Sequence, residues 1–165
     1  MAKSPNVSKS KPMRILIVVS SPSVSTTLGW PVGFWASELT HAYYEYREAG
    51  YETVIASPQG GKVEFDALSD PRDPSVYSAE DLISMGFIHT TNCAALLANT
   101  PKLADLRVGD FDAIHVAGGQ GPMFTFPKEK LLHKMLAEFY EAGKVTACLC
   151  HGVCALPPAR RQRGW

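Results

Sequence analysis

Short apolar runs rich in β-branched residues alternate along this chain with segments whose apolar positions recur at helical spacing. Residues 14–20 (RILIVVS) predict a buried strand. A Ser/Thr/Gly/Pro loop follows to Gly33. Residues 34–49 then place Phe34, Leu39, Ala42, Tyr43 and Tyr46 near one face of a helix that Gly50 stops. Residues 51–57 (YETVIAS) form the next strand, and the βαβ unit so made implies a parallel sheet with right-handed crossovers. Residues 58–75 are too rich in Pro, Gly and Asp for a regular element and predict an ordered surface loop over the sheet end. Residues 79–107 read as short helices of weak periodicity. Residues 112–117 (DAIHVA) are a strand, 128–142 an amphipathic helix closed by Gly143, and 145–149 (VTACL) a further strand. The sum is an α/β fold, a three-layer α/β/α sandwich around a mainly parallel sheet, with no internal repeat and no second domain.

Composition narrows the picture. The 165 residues are 45% hydrophobic and 19% charged, with 16 Lys plus Arg against 16 Asp plus Glu, as expected of one globular domain. The zero net charge joins unlike pieces. Lys3, Lys9 and Lys11 lie in residues 1–12 and Arg160, Arg161 and Arg163 in residues 160–165, so that removing these six leaves residues 13–159 at −6. A mildly acidic body lacks the clustered basic face that nucleic-acid binding needs. No apolar run approaches the ~20 residues of a membrane span, and residues 1–12 have no signal-like apolar stretch. A cytoplasmic location is expected. Cys148, Cys150 and Cys154 crowd together while Cys93 stands apart, a pattern that favours reduced thiols over a disulfide scaffold. Residues 1–12 read as a disordered leader.

The chemistry concentrates where the last strand turns. Cys148-Leu149-Cys150-His151-Gly152-Val153-Cys154 has the form of a nucleophile elbow with Cys150 in the attacking position, competing with the reading of a buried core cysteine. A thiol at a helix N-terminus meets the partial positive charge of unpaired N–H groups, which favours thiolate. Gly118-Gly119-Gln120-Gly121 follows another strand, where such a turn either presents N–H groups to an anion or oxyanion or simply reverses the chain. Glu38 opens the first helix. Alone it is an ordinary first-turn acid, but the segments carrying Glu38, Gly119 and Cys150 all leave carboxyl ends of strands, where doubly wound sheets place their ligand crevice.

These stretches resemble the ThiJ/PfpI superfamily within the flavodoxin-like class I glutamine amidotransferase-like fold, and within it the glyoxalase III and heat-inducible chaperone branch. The resemblance rests on GFWASELTHAYYEYREAGYETVIASPQGGKVEFD, DFDAIHVAGGQGPMF and KVTACLCHGVCAL, and covers residues 13–156. It implies Cys150 as nucleophile, His151 as its neighbour, Glu38 as the acid hydrogen-bonded to the thiolate, and Gly119 and His151 as oxyanion donors, with Gly118 and Gln120 beside them. It implies glutathione-independent conversion of methylglyoxal and related 2-oxoaldehydes to 2-hydroxy acids (glyoxalase III, D-lactate dehydratase type). That scheme requires no metal or organic cofactor. It further implies a homodimer, and, in the chaperone and deglycase activities of the branch, misfolded or glycated proteins as partners.

The chain departs from the family pattern at Ala42, where members usually carry Pro, and at Gln120 and Thr125, which stand in place of His and Asp. Residues 157–165 (PPARRQRGW) have no hydrophobic period and are expected to form a tail outside a fold left incomplete at its C-terminus. The acid that usually orients the elbow histidine belongs to that missing part, so the sequence names no triad acid. Two other functions remain open: a cysteine amidase or peptidase using the same thiol, and a holding chaperone or inactive pseudoenzyme. Zinc held by Cys148, Cys150, His151 and Cys154 is disfavoured, because strand and helix would point these ligands apart.

Overall fold

The computed structural model describes residues 11–159. In chain order the elements are β1 (Arg14–Val18), the two-residue strands β2 (Ser23–Val24) and β3 (Pro31–Val32), α1 (Ala36–Glu48), β4 (Glu52–Ala56), α2 (Leu82–His89), α3 (Thr91–Ala98), β5 (Ala113–Val116), α4 (Gln120–Thr125), α5 (Lys130–Glu141) and β6 (Val145–Cys148). Four of the strands form one wholly parallel sheet in the order β4-β1-β5-β6, with Ile17 paired to Ile55 on one side and His115 on the other. β2 and β3 pair antiparallel in a small hairpin inside the segment expected to be loop.

Alternation along the strands separates the two faces. Leu16, Val18, Ile114 and Val116 pack against Leu132, Met135, Leu136 and Phe139 of α5, whose i, i+3, i+4, i+7 spacing makes one continuous apolar stripe. Ile15, Ile17, Val19 and Ala113 face the other way, onto Phe34, Leu39, Phe87 and Cys93. The three layers and the parallel sheet are those expected from the sequence. Ala159, in the segment expected to be a tail, packs against the α5-side core. The greater part of the expected leader and tail lies outside the described residues.

The differences from the sequence reading have local causes. α1 begins at Ala36 rather than Phe34, because Phe34 is bridged to Phe65 and Trp35 is extended, its N–H bonded to the Gly118 carbonyl at 2.9 Å. The first helical amide, that of Ala36, is capped from outside by Ser69 Oγ at 2.9 Å. Residues 58–75 are ordered but not confined to the surface: Val63, Asp66 and Ser69 are buried. In the weakly periodic region, α2 is set by Asp81, whose side chain accepts from the Ser84 amide and hydroxyl at 3.0 and 2.6 Å. α2 then packs on α1 through a Thr40–Ser84 hydroxyl pair at 2.7 Å and edge-on contact of Phe87 with Tyr43. No helix among the described residues is long and apolar enough to cross a membrane.

Candidate active site

Parallel pairing brings the ends of β1, β5 and β6 to one edge of the sheet, and the segments leaving them meet there. β6 ends at Cys148; Leu149 extends the pairing by one bond, donating to the Val116 carbonyl at 3.0 Å. The chain then turns sharply. Cys150 has φ 46°, left-handed for a residue with a Cβ, and starts a 3₁₀ turn, Cys150–Ala155, in place of the expected α-helix. Backbone strain of this kind is how a nucleophile elbow lifts its side chain out of the strand. Cys150 is exposed, whereas Cys93 is buried and Cys148 and Cys154 are partly covered. Burial pushes the Cys148 thiol up to about 11.

Gly118 lies directly against the elbow. A Cβ there would stand 2.6 Å from the His151 amide nitrogen and 2.9 Å from the Cys150 Cβ, so no larger residue fits without displacing the turn. Gly119 follows with φ 106° and ψ −178°, a conformation open to glycine, and lets the chain pass from β5 into α4. The sequence reads GGQG as a turn that either presents amides or simply reverses the chain; its last two residues are in fact already helical.

The amides of that turn have distinct partners. Gly118 N–H donates to Glu38 Oε2 at 2.6 Å, and Gln120 N–H donates to Asp66 Oδ2. Among the described residues no acceptor takes the Gly119 or the His151 amide. The His151 ring pairs its Nδ1 with the Gly119 carbonyl at 3.2 Å. Glu38, Gly118, Gly119, Gln120, Cys150 and His151 thus lie together at the carboxyl ends of β5 and β6. A direct Glu38–Cys150 hydrogen bond is not among those formed by the described residues; the two are linked through Gly118.

Sequence reasoning missed Asp66. Its carboxylate also accepts the Gly33 amide at 2.9 Å, and its own N–H donates to the Phe34 carbonyl at 2.8 Å, so it ties the loop before α1 to the glycine turn. Burial pushes this carboxyl above its ordinary range, against the lowering effect of the Gln120 and Gly33 N–H bonds and of the His151 ring. A lone acid in a Pro/Gly/Asp-rich loop gives no signal of this. Ser20, just past β1, is also buried at the site: its Oγ lacks a partner among the described residues and would lie 2.5 Å from a Cβ at Gly121.

Behind the site His115 is 2% exposed, with Nδ1 on the Tyr46 hydroxyl at 2.8 Å and Nε2 without a well-formed hydrogen bond among the described residues. It is a core histidine with its hydrogen-bonding capacity only half used. Trp35 meets Tyr77 edge-on at 6.4 Å and lines an open groove of about 840 Å³ with Ser37, His41 and Asp81; Trp30 is exposed. No group of three or more His, Cys, Asp or Glu suited to a metal ion occurs among the described residues.

Comparison with known proteins agrees with the geometry. Residues 30–164 match the DJ-1/PfpI family. A probable glutathione-independent glyoxalase of Schizosaccharomyces pombe is 30% identical, over 81% of this chain and 58% of its own length. Glyoxalase 3 of Candida albicans is 29% identical over 75% of this chain and 51% of its own. The chain therefore spans little more than half the length of these relatives. Among solved structures, a rapid encystment protein of Francisella tularensis superposes with TM-score 0.80 at 30% identity, covering 91% of this chain and 64% of its own. The glyoxalase III structure from Candida albicans gives 0.70 at 27%, covering 87% and 59%. With the match spanning most of its length and the fold shared, the chain belongs to the DJ-1/PfpI family.

Proposed function

We propose that this chain carries the cysteine site of a glutathione-independent glyoxalase acting on methylglyoxal and related 2-oxoaldehydes. The observation that carries the reading is Cys150: exposed, left-handed, and packed on a glycine whose amide is held by Glu38. The names of the relatives supply the reaction class.

The chemistry follows from residue types. The Cys150 thiolate adds to the aldehyde carbon, and the carbonyl oxygen, receiving charge, is met by the Gly119 and His151 amides before taking a proton to give a hemithioacetal. Glu38 or His151 removes the proton from that carbon to form an enediol and returns one to the neighbouring carbon, leaving a thioester of the 2-hydroxy acid. Water hydrolyses the thioester, releasing the acid and the thiol. The net change is substrate plus water to hydroxy acid, with no external reductant.

Methylglyoxal loss measured without glutathione, beside hydrolysis of small amides by the same preparation, tests this against a cysteine amidase. Turnover of the aldehyde with no amide hydrolysis is expected; the reverse overturns the reading. A holding-chaperone activity is favoured by a separate observation, the exposed apolar side chains of Val145, Leu149, Val153 and Leu156 along β6 and the turn after it. Suppression of client aggregation by Cys150→Ala as well as by the parent would support it.

A further inference from the structure

The Gly118–Gln120 turn is held by two carboxylates, and the proposed reaction involves only one of them. Glu38 takes the amide before Gly119 and Asp66 the amide after it. Asp66 is 2% exposed, and among the described residues no lysine or arginine pairs with it. Its charge is offset by N–H groups from two other segments, an arrangement that holds backbone in place more tightly than a surface ion pair. Gly119 has no slack on that side: a Cβ would lie 2.7 Å from Asp66 Oδ2 and 2.5 Å from the Trp35 amide nitrogen. The carbonyl of the same residue meets the His151 ring. A shift of Asp66 therefore moves both the free Gly119 amide and the histidine contact.

We propose that Asp66 is a positioning residue for the reaction, its buried carboxylate bridging the Gly33 and Gln120 amides so that the Gly119 amide stays aimed at the oxyanion formed on Cys150. The inference rests on the glyoxalase reading above. Asp66 touches no reacting atom in this scheme. It acts through the turn, where displacement of an oxyanion donor by a fraction of an ångström costs rate rather than binding.

The test is Asp66→Asn in the full chain. Asparagine fills the same volume but offers one acceptor oxygen and one NH₂, so it keeps only one of the two amide bonds. With methylglyoxal as substrate, kcat is expected to fall roughly 10- to 100-fold while KM stays within about 3-fold. Alkylation of Cys150 by iodoacetamide should also stay within about 3-fold of the parent, since the thiol itself is unchanged. A folded Asp66→Asn protein with parental kcat overturns the proposal, as does a loss in which kcat and alkylation fall together with the folded fraction. If Asp66→Asn does not fold, amide temperature coefficients of the parent decide: Gly33 and Gln120 should behave as bonded amides and Gly119 as a free one, and a bonded Gly119 overturns the proposal. A parent inactive on methylglyoxal counts against the glyoxalase reading and removes the role assigned to Asp66 in it; an active parent with an indifferent Asp66→Asn counts against Asp66 alone.

Discussion

Glu38 Oε2 accepts the Gly118 amide at 2.6 Å across 80 residues of sequence, and Gly118 in turn lies directly against the Cys150 elbow. Glu38→Gln separates its two roles. The amide oxygen still accepts from Gly118, so unfolding free energy should change by no more than ~1 kcal/mol in urea titration. In the proposed reaction a Glu38 that moves the proton loses that ability, and turnover should drop about 10²-fold or more; an unchanged rate would assign the transfer to His151.

Gly118→Ala should be the most damaging small substitution at the site. Its methyl would enter the space between the Cys150 Cβ and the His151 amide, and overpacking of this kind costs about 1–3 kcal/mol. Denaturant unfolding should report that loss. Activity should fall further than the fraction unfolded explains, because the elbow must move to admit the methyl.

Thiol chemistry should single out one cysteine. Cys148 is held neutral, its thiol pushed up to about 11, and Cys93 is buried. Iodoacetamide at pH 7.5 followed by mass mapping should label Cys150 first and Cys148 at least ~10²-fold more slowly. Cys150→Ala should abolish the fast phase.

The strands and α5 were legible because β-branched runs and an i, i+3, i+4, i+7 stripe state burial directly in residue type. The elbow was legible because Cys-His-Gly follows such a run. The β2/β3 hairpin was not, since two-residue strands carry no period, and α4 was hidden by glycines and Pro122 that read as a turn. Asp66 gains its place from amides 33 and 54 residues away, and no local pattern encodes that. The start of α1 was obscured for the same reason: Ser69 supplies its cap from another segment.

His115 should make stability depend on pH. Burial pulls its pKa down from 6.5 to about 4, opposed by a backbone group of Glu38. The unfolded chain therefore binds a proton that the folded one refuses between these values, and stability falls as pH drops from 6.5 to 4, by about 3 kcal/mol. Above 6.5 this contribution is constant. Asp81 and Asp70, both lowered, lose theirs only below their ordinary value of 3.8. His115→Gln should flatten the pH 4–6.5 limb in urea unfolding, and an unchanged slope would contradict the assignment.

Lactate formation from methylglyoxal without glutathione, compared between the parent and Cys150→Ala at equal folded concentration, decides whether this thiol carries the reaction. The parent should turn over steadily and the variant about 10³-fold or more slower. Equal rates from the two proteins would contradict that role.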